Sequence, residues 1–431
     1  MKKAIVVGSG AGGAAAARVL QGHFQVTVLE AGKEFRPLGG SLAAFDRLKR
    51  AGLLFNEREI SLIFPAMRTL KTRDRMVLVR GMGTGGTTTL AVGNALRMDG
   101  DLKALGIDLE DEFGEISRDI PITSDHRAKW RGPTRRLYGA CEEMGLSPVP
   151  IPKMGHQEQC LGCGRCVLGC PYGIKWDCRE LLKTAIGAGA EVRTGRRVDR
   201  IVVRGGVAAG VEVSNGGRKV FIGADAFVLA AGGLGTPIVL EKSGIPCRPR
   251  LFVDPVLCVA APWENALQNR ELSMPFAVQM DHYILSPYFD HLSYFFNRGW
   301  RPAAGNILSL MIKLADSSLG SISSAGIDKR LTEEDISRLR GAVEVCAEIF
   351  ARLGIARNRL FFGTLNAGHP GGMLPLGRES SQSFHDPALP ENLYVADASL
   401  FPASLGNPPI LTIMAMAGRV GRIMAEKLGR R

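Results

Sequence analysis

The stretch Ala4-Ile-Val-Val7-Gly8-Ser-Gly10-Ala-Gly-Gly13-Ala14, followed by Val26-Thr-Val-Leu-Glu30, decides the fold. Its apolar start predicts a strand, its glycines a tight turn, and the Ala-rich run to about Leu20 a helix. Residues 26–29 then predict a second strand, so the chain opens as a βαβ unit of a parallel, doubly wound sheet. Within the fingerprint Gly8, Gly10 and Gly13, Gly10 lets the backbone approach a pyrophosphate and Gly13 lets the helix pack on the strand. The unpaired N–H groups of the helix N-terminus would face the phosphates. Glu30 ends the second strand where a carboxylate accepts hydrogen bonds from an adenosine ribose. A carboxylate disfavours a 2′-phosphate there, so FAD or NAD is expected rather than NADP.

Two lysines and an apolar run at the N-terminus imitate a secretion signal, but the glycines stand where a phosphate turn needs them. No run of about 20 apolar residues exists, and the longest candidate, 410–417, is too short to span a membrane. A cytoplasmic location is expected, with cysteines reduced and available to metal rather than paired. With 431 residues, 45% hydrophobic and 22% charged, the chain is an ordinary globular protein large enough for one big α/β domain and a smaller companion. The net charge of +12 is not gathered in one tract, which argues against nucleic acid. It reads either as a solvated basic surface around an anionic flavin nucleotide or as a docking face for an acidic electron carrier.

Three further segments converge on the same cofactor. The loop Arg80-Gly-Met-Gly83-Thr-Gly85-Gly86-Thr87-Thr-Thr89, leading to Gly93-Asn94, supplies N–H and hydroxyl donors around an anionic or carbonyl-rich ligand. Residues 226–231 predict a buried strand breaking into the turn Gly232-Gly233-Leu-Gly-Thr236-Pro237. The strand pair 197–203 and 210–213, with Val198, predicts a hairpin on which an adenine could rest. Residues 251–365 differ: they hold Tyr283, Tyr288, Phe289, Tyr294, Phe295, Phe296 and Trp300, then a helix from about Thr332 to Leu353 with an acidic start. They predict a substrate or cap domain of strands plus a helix, its aromatics serving as sheet core more than as pocket lining.

Five of the nine cysteines fall between Cys160 and Cys178. Cys160-Leu-Gly-Cys163-Gly-Arg-Cys166-Val-Leu-Gly-Cys170-Pro171 has the C-x2-C-x2-C-x3-C-P spacing of iron–sulfur ligation. Zinc is the alternative, but its knuckles usually sit as two pairs on separate loops. The expected ligands are Cys160, Cys163, Cys166 and Cys170, with Cys178 in reserve, around a [4Fe–4S] or [3Fe–4S] cluster.

The N-terminal fingerprint ending in Glu30, the Gly-Gly-Thr-Thr loop at 85–88 and the turn at 230–237 resemble the glucose–methanol–choline (GMC) oxidoreductases. The most specific likeness lies in His369-Pro-Gly-Gly-Met, Asn392-Leu-Tyr-Val-Ala-Asp397 and Gly406-Asn407-Pro408-Pro-Ile-Leu-Thr412. Within the family the chain is most similar to the cholesterol-oxidase-like and bacterial sugar-dehydrogenase branches, with an added cysteine motif. The resemblance implies a Rossmann-like FAD-binding domain of the glutathione-reductase type, formed by residues 1–140, 183–250 and 363–431. A cysteine-rich segment would occupy 141–182 and a smaller α+β substrate domain 251–362. It further implies non-covalent FAD and oxidation of a CH–OH group by hydride transfer to the flavin. His369 would be the general base, Asn407 the second polar group at the flavin, and Asp397 a neighbour of the ribityl and pyrophosphate. His282 and His291 are alternative bases.

A neutral imidazole within reach of the hydroxyl supplies base catalysis near neutral pH. Asn407 can donate to the substrate oxygen while charge develops. Pro408 and Pro409 fix the backbone just before a helix whose N-terminus faces the flavin. A cluster beside a flavin suits a one-electron protein acceptor: a ferredoxin, a cytochrome or an electron-transfer flavoprotein. The expected activity is therefore an FAD-dependent alcohol dehydrogenase. Its rivals are a ferredoxin-driven reductase of a carbonyl or activated alkene, and a non-catalytic electron-transfer subunit.

Overall fold

The computed structural model describes residues 1–39, 43–52 and 56–429; the remaining residues of the expected FAD-binding parts lie outside it. A five-stranded parallel sheet organises the first half. Its strands are β1 (Lys3–Val7), β2 (Gln25–Leu29), β3 (Glu191–Arg193), β4 (Ala226–Leu229) and β5 (Leu393–Val395), in the order β5-β4-β1-β2-β3. β1 pairs with β4 on one side (Val6 to Val228) and with β2 on the other (Val6 to Val28). These central strands are buried on both faces, as their near-continuous apolar runs require.

Helix α1 (Ala11–Leu20) crosses from β1 to β2, and its small side chains Ala14 to Ala17 are buried. A Cβ on Gly13 would stand 1.9 Å from the Gly8 carbonyl oxygen, and one on Gly12 only 1.6 Å from that of Ala396. The turn is therefore closed by contacts that only glycine permits, and the Gly13 expectation about helix packing has a direct steric cause. Three more helices matter for the site: α2 (Gly232–Lys242), α3 (Glu333–Arg352) and α4 (Ile410–Leu428). α4 is almost wholly buried and packs on α1, where Gly421 approaches Val19.

The expected adenine hairpin is a three-stranded antiparallel meander, Arg197–Arg204, Val207–Asn215 and Arg218–Gly223. The extra strand follows from the Gly216–Gly217 turn, which returns the chain along the exposed edge.

The second half is built on a nine-stranded sheet around Pro255–Pro262 and Ile307–Leu314. It also takes strands from Met67–Lys71, Val77–Gly81, Val149–Pro150 and Asn366–Ala367, so this layer is assembled from distant parts of the chain. Strand parity decides what each face meets. Leu308, Leu310 and Ile312 face a core shared with Ala342, Cys346, Ile349 and Phe350 of α3. Met311 and Lys313 point the other way, into the central cavity. The predicted helix appears as α3, with Thr332 as its N-cap in a capping box with Asp335.

Candidate active site

Between the two sheets lies a cavity of about 810 Å³, within the range of cofactor and ligand sites. Its nucleotide end is made by Gly8, Ser9, Gly10 and Glu30, with Gly86, Thr87, Asn94, Val198, Gly232 and Asp397 also at the wall. Gly83 and Gly85 stand just behind, at φ of 141° and 86°, bending the second glycine loop. The N-terminus of α1 has no side-chain cap and no acid in its first turn, so its N–H groups are open to an anion.

The two expected acids are held firmly. Glu30 accepts from the Ser9 N–H at 3.1 Å and hydroxyl at 2.6 Å, and from the Gly32 N–H at 2.7 Å. Asp397 accepts from the Gly232 N–H at 2.9 Å, the Ser399 N–H at 2.8 Å and the Thr236 hydroxyl. Asp397 thereby ties the α2 turn to the C-terminal segment. Burial raises its pKa against those bonds.

His369 also lines the cavity, on the loop after the strand Asn366–Ala367. A Cβ on Gly233 would meet the Pro370 carbonyl oxygen at 1.9 Å, so the α2 turn packs directly on the histidine loop. The His369 side chain keeps 24% of its surface, on the cavity side, and its Nδ1 lies 3.7 Å from Asp254 Oδ2. That distance exceeds a hydrogen bond, and Nδ1 has no other partner. Asp254 in turn forms a buried ion pair with Lys313 at 2.5 Å. Burial and the Lys313 charge lower the His369 pKa to about 4, against the pull of Asp254. Burial raises the Asp254 carboxyl, but Lys313 and His369 outweigh it and hold it at about 2. The imidazole is thus neutral over a wide pH range and able to accept a proton.

Asn407 is placed differently. Its amide Nδ2 donates to Gln279 Oε1 at 3.2 Å and to the Leu405 carbonyl at 3.3 Å, and the cavity wall is made by the following Pro408, Pro409 and Ile410. His291 lines the cavity, and burial lowers its pKa to about 4. His282 lies instead on a second cleft.

The cysteine loop forms one wall through Val167 and Leu168. Its four cysteines are free and half-buried, and burial raises the pKa of Cys160 and Cys163, with Cys166 and Cys170 adding to it. However, among the described residues no group of three or more His, Cys, Asp or Glu side chains converges to hold a metal ion. The loop is tied to the segment before it, from Arg165 to the Leu38 carbonyl and from the Leu38 N–H to the Leu168 carbonyl. Cys178 is elsewhere, fully buried in the first core with its Sγ 3.6 Å from Met414 Sδ. It is no reserve ligand.

A family model described as GMC oxidoreductase matches residues 3–256, and its C-terminal companion matches 312–417. The chain belongs to the GMC oxidoreductase family. An uncharacterised GMC-type oxidoreductase of Mycobacterium tuberculosis is 34% identical over 58% of this chain and 40% of its own length. The chain therefore spans well under two thirds of that relative. An uncharacterised protein of Methanocaldococcus jannaschii is 24% identical over 97% of this chain and 98% of its own. A long-chain-alcohol oxidase of Arabidopsis thaliana is 22% identical over 99% of this chain and 67% of its own. The solved structure of pyridoxine 4-oxidase from Mesorbium loti shares the fold, with a TM-score of 0.75 at 18% identity over 98% of this chain and 99% of that one.

GMC enzymes bind FAD. The cavity fits that group on independent grounds: an uncapped helix N-terminus faces it, and Arg80 on its wall has a buried Nε without a partner. Burial and the neighbouring Arg197 and Arg68 lower the Arg80 pKa, so an anion placed there would relieve the guanidinium. The glycine-loop pattern gave Arg80 no role of its own, and no motif pointed to Asp254 or Lys313. The one available signal was a lone lysine in an otherwise apolar strand, Ile307-Leu-Ser-Leu-Met-Ile-Lys313-Leu.

No helix among the described residues is long and apolar enough to cross a membrane.

Proposed function

We propose that this GMC oxidoreductase oxidises the CH–OH group of an apolar alcohol with FAD, His369 serving as the base. The carrying observation is a neutral imidazole at the cavity wall, backed by Asp254 and Lys313, in the same cavity as an uncapped helix N-terminus. Gly8, Gly10, Glu30, Gly86, Thr87, Asn94, Val198, Gly232, Asp397 and Arg80 would hold the cofactor. The chemistry FAD would supply there is acceptance of a hydride from the alcohol carbon. His369 takes the hydroxyl proton at Nε2, the nitrogen left for substrate once Nδ1 is turned towards Asp254. Asn407, through its bonds to Gln279 and Leu405, sets the backbone that presents Pro408–Ile410 and the start of α4 to the cavity.

Apolar substrate is supported by the walls near His369, formed by Val256, Tyr288, Leu292, Phe295, Phe296 and Met311. A likeness to a long-chain-alcohol oxidase points the same way. Anaerobic flavin bleaching across long-chain, aryl, sterol and sugar alcohols tests this reading. Apolar alcohols should bleach at least about tenfold faster than sugars, since each buried methylene contributes about 0.8 kcal/mol. Bleaching by sugars alone would overturn the substrate class, and bleaching by none the activity.

A finer reading concerns the cysteine loop. The donor set of four thiols suits a [4Fe–4S] or three-iron cluster, which supplies one-electron transfer. Two buried lysines, Lys153 and Lys175, lie near enough to feel Cys166, and thiolates there would oppose the lowering of their pKa by burial. Ligation would need the loop to draw inward from its present arrangement. Anaerobically purified protein should then contain about three to four irons per chain, lost in Cys163→Ser. Iron-free protein with intact FAD would rule the cluster out, and with it the case for a one-electron protein acceptor.

A further inference from the structure

We propose that the proton collected by His369 leaves through Asp254 and Ser404 into a second cleft, away from the cavity that holds cofactor and substrate. The proposal rests on the reading of His369 as the base. That cleft, of about 680 Å³, is lined by Arg250, His282, Asp316, Ser317, Arg338 and Ser404.

A set of polar groups joins the two spaces, open at one point, between His369 and Asp254. His369 Nδ1 stands 3.7 Å from Asp254 Oδ2. Asp254 Oδ1 accepts from the Ser404 hydroxyl and from the Gly406 N–H at 3.3 Å. The Ser404 hydroxyl also lies 3.0 Å from Asp316 Oδ1 and accepts the Asp316 N–H at 3.0 Å. One hydroxyl hydrogen cannot bond two carboxylates at once. It must choose between Asp254 and Asp316, and that swing is the motion a proton relay needs.

The charges around this chain are balanced before the reaction begins. Lys313 pairs with Asp254, and Lys329 pairs with Asp316 at 2.7 Å with both side chains fully buried. Such pairs are costly to bury and rarely stabilise a fold by themselves. Here they hold two carboxylates in place with no net charge. Asp254 sits at a φ of 50°, a strained conformation secured by its N–H bond to Asp316 Oδ1 at 2.8 Å. A proton arriving on His369 upsets the balance, and a cavity filled by cofactor and substrate holds little water to remove it.

The step balances without further reactants. The substrate O–H proton passes to His369 Nε2; the imidazolium, drawn to the carboxylate, closes the 3.7 Å gap, and its Nδ1 proton passes to Asp254. Ser404 turns its hydrogen from the carboxylates to water in the cleft and gives it up there as its Oγ takes a proton from Asp254. His369, left with its proton on Nε2, returns to the Nδ1–H tautomer by exchange with water before the next turnover. No electrons move in this sequence. The groups facing it are Lys313, Asp316 and Lys329 within the fold, and His282, Arg250 and Arg338 in the cleft.

The test uses the FAD-loaded enzyme, anaerobic, in dilute buffer with a pH-indicator dye and an alcohol that bleaches the flavin. In the natural protein proton release should keep pace with bleaching. In Ser404→Ala release should lag bleaching by about tenfold. This is less than the 10²–10⁴ of a group touching substrate, because cleft water partly substitutes. Ser404→Thr should restore the pace. Release in step with bleaching in Ser404→Ala, or a Thr variant as slow as the Ala variant, overturns the relay alone. A His369→Ala enzyme that bleaches at the natural rate overturns the base reading, and the relay with it. A second measurement needs no variant: in H2O–D2O mixtures the natural enzyme's release rate should depend on deuterium content with curvature, as when several protons move. A linear dependence counts against the relay.

Discussion

The two ends of the central cavity are built from different materials. At the proposed nucleotide end the wall is backbone: an uncapped helix N-terminus, a turn closed by Gly8, Gly12 and Gly13, and a second glycine loop. At the proposed substrate end it is buried charge: His369, Asp254 and Lys313, with Asp316 and Lys329 behind. A backbone site needs only neighbours in sequence. A charged site needs partners that neutralise one another, and these come from four separate segments of the chain.

The comparison breaks first at His369. His369→Ala should leave the nucleotide end and FAD binding intact while slowing flavin reduction by about 10²–10⁴-fold, measured by stopped-flow absorbance. Unchanged reduction would mean the buried charges serve the fold alone. The converse substitution is Arg80→Met, at the nucleotide end. Losing one charge-assisted bond of about 1.5–3 kcal/mol should weaken FAD binding by about 10–100-fold in a titration of the apoprotein.

A pH profile sharpens the contrast. Because His369 titrates at about 4, the rate of flavin reduction should hold from neutral pH downward and fall only as pH drops through that value. Lys313→Met removes a cation that depresses it, so the inflection should move up towards 6.5. The sign for stability is the same. The fold favours the neutral imidazole, so stability is lost as pH falls from 6.5 towards 4, and Asp254, held at about 2 against 3.8, adds a loss below about 4. Thermal unfolding across this range should show both, and His369→Ala should lack the first.

The smallest effect lies away from both ends. Thr332→Ala removes the cap of α3 and should cost about 1 kcal/mol in thermal or urea unfolding, with the flavin reduction rate unmoved. A changed rate would mean that α3 transmits strain through Leu310 and Ile312 to the cavity face of the same strand.

Most of the nucleotide end is legible in the sequence. Gly10, Glu30, Gly86, Thr87, Asn94, Val198, Gly232 and Asp397 all stand at the cavity or its rim, and Gly13 closes the turn behind it. His369 is legible too, from the Pro-Gly-Gly turn that follows it. The orientation of Asn407 is not, since nothing local announces that Gln279 will take its amide. The cysteine spacing shows a loop but not its attachment to Leu38, a residue more than a hundred positions earlier.

Sequence alone determined the βαβ opening, the glycine turns, the capped helix α3 and the prolines that start α4. Each depends on residues a few positions apart, acting through backbone geometry and local hydrogen bonds. Only the tertiary structure decided that Asp254, Lys313, His369 and Ser404 meet, that Lys313 faces the cavity rather than α3, and that Cys178 lies in the core apart from the other four. A buried charge is stable only beside its counter-charge, and the polar partners gathered here are up to 150 residues apart along the chain.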